Sequence, residues 1–151
     1  MILFGDKTVA FLDVWSLEHF VTGICISHVS AYLGALLFKG GASHYNAAEV
    51  SKNPREWLVY ILLVACIWEV IEFYMEAGYT GIDGVTYWFQ GVEFWANRLI
   101  SDPILVIVGG YLGLKHKKLV IYARCFSIVW LFVHIFVFPH SMYLHELMGL
   151  E

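Results

Sequence analysis

Apolar residues in this chain fall into four long runs, at about 16–38, 57–77, 94–114 and 119–138. A transmembrane helix needs roughly 20 mostly apolar residues, and each run meets that length. The runs are too long and too continuous to read as strands. In lipid, backbone groups must pair within a helix or within a closed barrel, and the alternation that a barrel strand requires is missing. The pattern therefore predicts an all-α fold: an integral membrane bundle of four transmembrane helices over residues 16–138. An interfacial N-terminal segment, 1–15, and a C-terminal tail, 139–151, flank it. In the first segment Val9, Phe11, Leu12, Val14 and Trp15 suit a short amphipathic stretch lying in the interface. No cleavable signal peptide is expected, because Asp6, Lys7 and Asp13 stand where a basic start before an apolar core belongs.

Composition agrees with this pattern. Of 151 residues, 60% are hydrophobic and 15% charged, against about 45–50% and about 25% in soluble domains. A mean hydropathy of +0.68 is too high for a short chain that must cover a large surface relative to its volume. The net charge of -4 gives no basic footprint for nucleic acid. The expected partners are membrane lipids and, in one reading, another membrane protein.

The charges also orient the bundle. Lys39, Lys52, Arg55, Lys115, Lys117, Lys118 and Arg124 fall on one side, and only Lys7 and Arg98 on the other. By the positive-inside rule the first side is cytoplasmic, both termini face out, and the protein sits in the plasma (inner) membrane. Of the 13 acidic residues, only Glu49 and Glu56 lie on the cytoplasmic side.

Ionisable groups inside a span are costly, and they usually face the bundle interior. His19 and Glu18 open the first span; Glu69, Glu72 and Glu76 lie in the second; Asn97, Arg98 and Asp102 lie early in the third; His134 lies late in the fourth. With alternating helix directions, all of these fall in the outer leaflet. Glu69, Glu72 and Glu76 share one helical stripe, and Arg98 and Asp102 are spaced i, i+4 for direct pairing. The expected pocket contains Glu69, Glu72, Asp102 and His19, with Asn97 and Arg98 at its rim. Several carboxylates in a low-dielectric pocket need cations, protons or a metal. His19, Glu69, Glu72, Asp102 and His134 form a mixed N/O set suited to a transition metal ion. Plain structural roles stand beside these: Glu18, Glu76 and Glu93 as solvated helix-end groups, and His134 and His28 as hydrogen-bonded packing residues. His140, His145 and Glu146 read as a solvated tail.

Three smaller features complete the reading. Pro103 removes a backbone hydrogen bond beside Asp102. Gly109 and Gly113 allow close helix approach, which we expect to be used inside the bundle. The segment 78–93, with Gly78, Tyr79, Gly81, Gly84, Tyr87, Trp88 and Phe89, reads either as a lid over the outer mouth or as aromatic-belt residues. Cys25, Cys66 and Cys125 lie within apolar runs and read as packing residues.

Asp13-Val14-Trp15-Ser16 followed by His19-Phe20 and Gly23 resembles the first-helix motif of VanZ-like and related small bacterial multi-helix membrane proteins. Trp68-Glu69 with Glu72 is similar to their WE-x-x-E pattern, and Asn97, Ser101-Asp102 and Gly109 to Gly113 to their N-x-x-x-S-D and glycine tail. The resemblance covers about residues 13–114 and departs in Arg98 after Asn97 and in the long aromatic second loop. It implies a helical bundle linked to the cell envelope, and in one branch to glycopeptide resistance. It supports His19, Glu69, Glu72, Asn97 and Asp102 as one set and implies no reaction.

Three function classes follow. The first binds an amphiphilic or lipid-linked envelope molecule, or serves as an accessory subunit of a membrane complex. The second is a metal-dependent membrane enzyme, and the third a proton or ion pathway component. No ExxH pair of the di-iron bundles occurs. A phosphate-binding glycine loop, a GxSxG elbow and an HExxH motif are missing too, so nucleophilic catalysis is not indicated.

Overall fold

The structure, a computed structural model, describes residues 2–89 and 91–137. The tail beyond 137, with His140, His145 and Glu146, lies outside the described residues. In place of a continuous interfacial stretch, the chain opens with two short parallel strands, β1 (Ile2–Phe4) and β2 (Ala10–Leu12), with Ile2 opposite Ala10 and Phe4 opposite Leu12. The turn between them is set by Asp6, whose carboxylate accepts from the Thr8 amide at 2.7 Å and its hydroxyl at 2.6 Å.

Six α-helices follow among the described residues: α1 (Val14–Phe38), α2 (Ala47–Lys52), α3 (Leu58–Glu76), α4 (Asp83–Phe89), α5 (Asp102–Lys115) and α6 (Lys117–Phe132). A 3-10 turn, Pro54–Trp57, leads into α3, and π-turns precede α5 (Asn97–Ser101) and follow α6 (Val133–Val137). Two helical stretches, Val14–Phe38 and Pro54–Glu76, are long and apolar enough to cross a membrane.

Asp13 starts α1 through a capping box: its carboxylate accepts the Ser16 amide at 2.9 Å, and the Ser16 hydroxyl accepts the Asp13 amide at 3.0 Å. The buried face of α1 is small and polar, with Ser16, His19, Gly23, Ser27, Ser30, Ala31, Gly34 and Ala35. Most of its large side chains, among them Leu17, Val29, Leu33, Leu36 and Leu37, point outward, while Val21 and Ile24 are buried. On α3 the buried residues are Ile61, Ala65, Glu69, Glu72 and Glu76, while Val59, Ile67, Val70 and Ile71 are exposed. A soluble bundle sorts its residues the other way round.

Small residues let α1 and α5 meet closely, and this is the most extensive helix contact in the molecule. A Cβ on Gly109 would strike the Phe20 carbonyl, one on Gly113 the Ser27 side chain and the Ile24 carbonyl, and one on Gly23 the Val106 carbonyl. The glycine face of α5 thus packs inside the bundle. At the end built by α2 and the 3-10 turn, Val50, Trp57, Ile61, Ala35 and Leu114 form an apolar core. The opposite end, where α1 and α5 begin and α3 finishes, carries the buried polar residues. Gly78, at φ 76°, stops α3 there in the left-handed conformation and turns the chain back over that end.

Candidate functional site: a buried acid–histidine cluster

Five parts of the chain supply the cluster, the N-terminal segment bringing Lys7 and Asp13. α1 brings His19, α3 brings Glu69, Glu72 and Glu76, the segment before α5 brings Glu93, Asn97 and Arg98, and α5 begins at Asp102. All are buried, and Asn97 and Asp102 are 0% exposed. His19 is the hub. Its Nδ1 is 3.7 Å from Glu69 Oε1, and its Nε2 is 3.4 Å from Asp102 Oδ2 and 4.0 Å from Glu72 Oε2. The structure therefore brings His19, Glu69, Glu72 and Asp102 together around one imidazole.

Sequence reasoning missed the second half of the cluster. Glu76 and Glu93, expected as solvated helix-end groups, are buried. Glu76 accepts Lys7 Nζ at 2.7 Å and the Glu93 amide at 3.0 Å, and it also pairs with Arg98 Nη2. Lys7 is 2% exposed, lies over the Phe89 ring, and has its carbonyl fixed by the Phe94 amide at 2.8 Å. Asn97 stands inside the cluster and not at its rim. Its Nδ2 donates to Asp13 Oδ2 at 3.1 Å and to Glu93 Oε1 at 2.9 Å, because β2 and the 91–94 segment close over it.

The expected Arg98–Asp102 pair is replaced. Arg98 meets Glu76, Glu93 Oε2 at 3.6 Å and Glu69 Oε2 at 3.8 Å, and packs over the Phe73 ring. The π-turn explains the change. The Asp102 amide bonds back to the Asn97 carbonyl, one residue further than in an α-helix, so the i, i+4 register assumed for Arg98 and Asp102 does not apply.

Outside the span-forming helices, burial pushes the Asp13 carboxyl above its ordinary range, against hydrogen bonds from Ser16 and Trp15 and the charge of Lys7. Burial, then the nearby Asp102 and Glu72, push Glu93 up as well.

The His134 ring stacks on Trp15 at 4.4 Å and meets Trp130 edge-on at 4.9 Å, and so packs among aromatics. Glu18, expected at a solvated helix end, is half-buried and accepts from Ser127 at 2.8 Å. His28 Nδ1 lies 2.9 Å from the Tyr45 hydroxyl. Cys66 and Cys125 are exposed on the outer face and do not pack inside.

Two openings reach the cluster from different sides. One is a cavity of about 280 Å³ walled by Trp15, Thr22, Trp68, Trp88, Phe89 and Leu131, with Glu18, His19 and Glu72 in its lining. Trp88 and Phe89 belong to α4, which thus lines this cavity. The other is a groove of about 550 Å³ along α3 and α5, lined by Cys66, Val70, Phe73, Trp95 and Leu99 together with Glu69, Glu93 and Arg98. No protein-family model, curated protein or solved structure matches this chain.

Proposed function

We propose that the chain is an integral membrane protein of four spans, with both termini outside, that holds the polar head of an amphiphilic or lipid-linked molecule in its outer leaflet. The observation that carries this reading is the aromatic cavity with His19 and Glu72 in its wall, set in a bundle whose outward surface is apolar. Tryptophan-walled apolar space accepts a tail or a ring, while the acid–histidine cluster beside it supplies the few polar groups that fix orientation. The π-turn's 5 residues and α5's 14 form one continuous rod of roughly 28 Å, close to the hydrocarbon thickness of a bilayer. α6 and its π-turn form another. The VanZ-like resemblance supports an envelope setting in the plasma membrane.

Thr22 lines the cavity without touching the buried ion pairs, so Thr22→Trp fills it. Mass spectrometry of co-purified lipid should show a species bound to the natural protein and lost from the variant. Equal lipid content in both would refute the reading. Labelling of single cysteines in intact cells should reach position 84 and spare position 53; the reverse pattern would overturn the topology.

A further inference from the structure

The buried carboxylates divide into two groups. Glu76 is met by Lys7, Arg98 and an amide, and Asp13 by Ser16 and Asn97. Glu69 and Asp102 are less well served: among the described residues Glu69 has His19 Nδ1 at 3.7 Å and Arg98 Nε at 3.8 Å, beyond hydrogen-bond distance, Asp102 has His19 Nε2 at 3.4 Å with Ser16 and Glu93 beside it, and one oxygen each of Glu72 and Glu93 lacks a hydrogen bond. The Glu69 and Asp102 side chains are 5% and 0% exposed. Buried acceptors left in this state are rare in folded proteins, and both point into the space around His19.

Charge sharpens the case. Asp13, Glu69, Glu72, Glu76, Glu93 and Asp102 are six buried acids, and Lys7 and Arg98 are the two fixed cations among them. With all six ionised and His19 neutral, two divalent ions would bring the cluster to charge balance.

Spacing agrees. His19, Glu69 and Glu72 can each offer a ligand atom within 4.8 Å of the others, and Glu69, Glu93 and Asp102 can do the same. Metal–ligand bonds of about 2.1 Å place neighbouring ligand atoms about 3.0–3.4 Å apart and opposite ones about 4.2 Å apart, so each triad must draw in from separations of up to 4.8 Å, with His19 offering one ring nitrogen. Glu69 belongs to both triads. Its Oε1 faces His19, while its Oε2 faces Arg98, itself beside Glu93.

We infer that the cluster is a divalent-metal centre with two adjacent ion positions bridged by Glu69, one completed by His19 and Glu72 and the other by Glu93 and Asp102. One imidazole among four carboxylates favours Mn²⁺ or Fe²⁺ over the softer Zn²⁺ and Cu²⁺. The histidine argues against a site built for Ca²⁺ or Mg²⁺, which take oxygen ligands. Bridged ions of this kind sit roughly 3.5–4 Å apart. His19 and Glu72 also line the aromatic cavity, so one position borders the space proposed for the head group. The inference itself rests on the cluster and not on that occupant.

The test uses the full chain in detergent, purified with a tag free of histidine, stripped with a chelator and reloaded with Mn²⁺. The expected result is two Mn²⁺ per chain, an exchange-coupled electron paramagnetic resonance signal in place of the six-line spectrum of isolated ions, and a higher melting temperature on loading. Glu93→Gln should retain one ion and give the six-line spectrum. Glu69→Gln should retain none, and Glu49→Gln, exposed on α2 at the other end of the bundle, should keep both. Uptake of one ion or fewer by the natural chain would overturn the bridged centre, as would natural metal content in Glu69→Gln. Should Glu69→Gln fail to fold, the natural chain and Glu93→Gln decide between them. Thr22→Trp separates the two proposals, since it should lose lipid and keep both ions.

Discussion

Replacing Lys7 by Met tests the half of the cluster that depends on the N-terminal strands. Met keeps most of the apolar stem and removes the ammonium, so the change isolates the charge. Lys7 Nζ is 2.7 Å from Glu76 Oε1, with side-chain exposures of 2% and 0%. Breaking a buried pair by removing one partner costs about 3–5 kcal/mol. Arg98 and the Glu93 amide remain on Glu76, which puts the expected loss near the lower end, about 3 kcal/mol. A chain of this length loses about 2–4 °C of melting temperature per kcal/mol, so the midpoint should fall by about 6–12 °C. If the N-terminal segment lay on the surface with Lys7 in water, an exposed pair would contribute at most about 1 kcal/mol, or about 4 °C. Thermal unfolding of chelated protein in one detergent measures the difference. A drop below about 4 °C would refute the buried pair. A double-mutant cycle with Glu76→Gln then isolates the coupling, expected at about 1–3 kcal/mol.

Gly109→Leu drives a side chain into the Phe20 carbonyl. Overpacking costs about 1–3 kcal/mol, so stability should drop while the mass by light scattering stays the same; a dimer that becomes a stable monomer would contradict internal packing. The raised carboxyls of Asp13 and Glu93 set a direction for pH. Each binds its proton more tightly when folded than unfolded, so folding takes up protons and stability falls as pH rises above the ordinary carboxylate range. Chelated protein should melt higher at pH 5 than at pH 8, and Glu93→Gln should shrink that gap; an unchanged gap would remove Glu93 as its source.

Much of the helical frame was legible in the sequence because it rests on periodic, local signals. The run at 57–77 became α3, and the stripe of Glu69, Glu72 and Glu76 holds because α3 is a regular helix. What was not legible depends on chain reversal. Lys7 meets Glu76 across 69 positions and Asp13 meets Asn97 across 84, and no local pattern encodes either contact. Glu93 looked like a solvated end because its fate is decided by the turn at Gly78 and by the Phe94 amide that ties this segment to Lys7. Arg98 was misplaced for a different reason. A π-turn has no strong sequence signature, and one added residue per turn is enough to redirect a side chain.

The helix backbones add a further reason for cations at this end of the bundle. Glu76 and Glu72 lie at the C-terminal end of α3, where the macrodipole is negative and opposes their charge. Lys7 and Arg98 both reach Glu76, the last residue of α3, and so they offset the carboxylate and the unpaired terminal carbonyls together. Glu72 and Glu69 lie one and two turns deeper, and Arg98 Nε stands 3.8 Å from Glu69 Oε2. Protons alone would meet their charge and make each acid a donor, but the carbonyl oxygen of a neutral carboxyl still needs a hydrogen bond when buried. A divalent ion meets both requirements at once, because it brings charge and takes the lone pairs as ligands. Backbone electrostatics, orphaned oxygens and ligand spacing are separate properties of the chain, and they point to the same place beside His19.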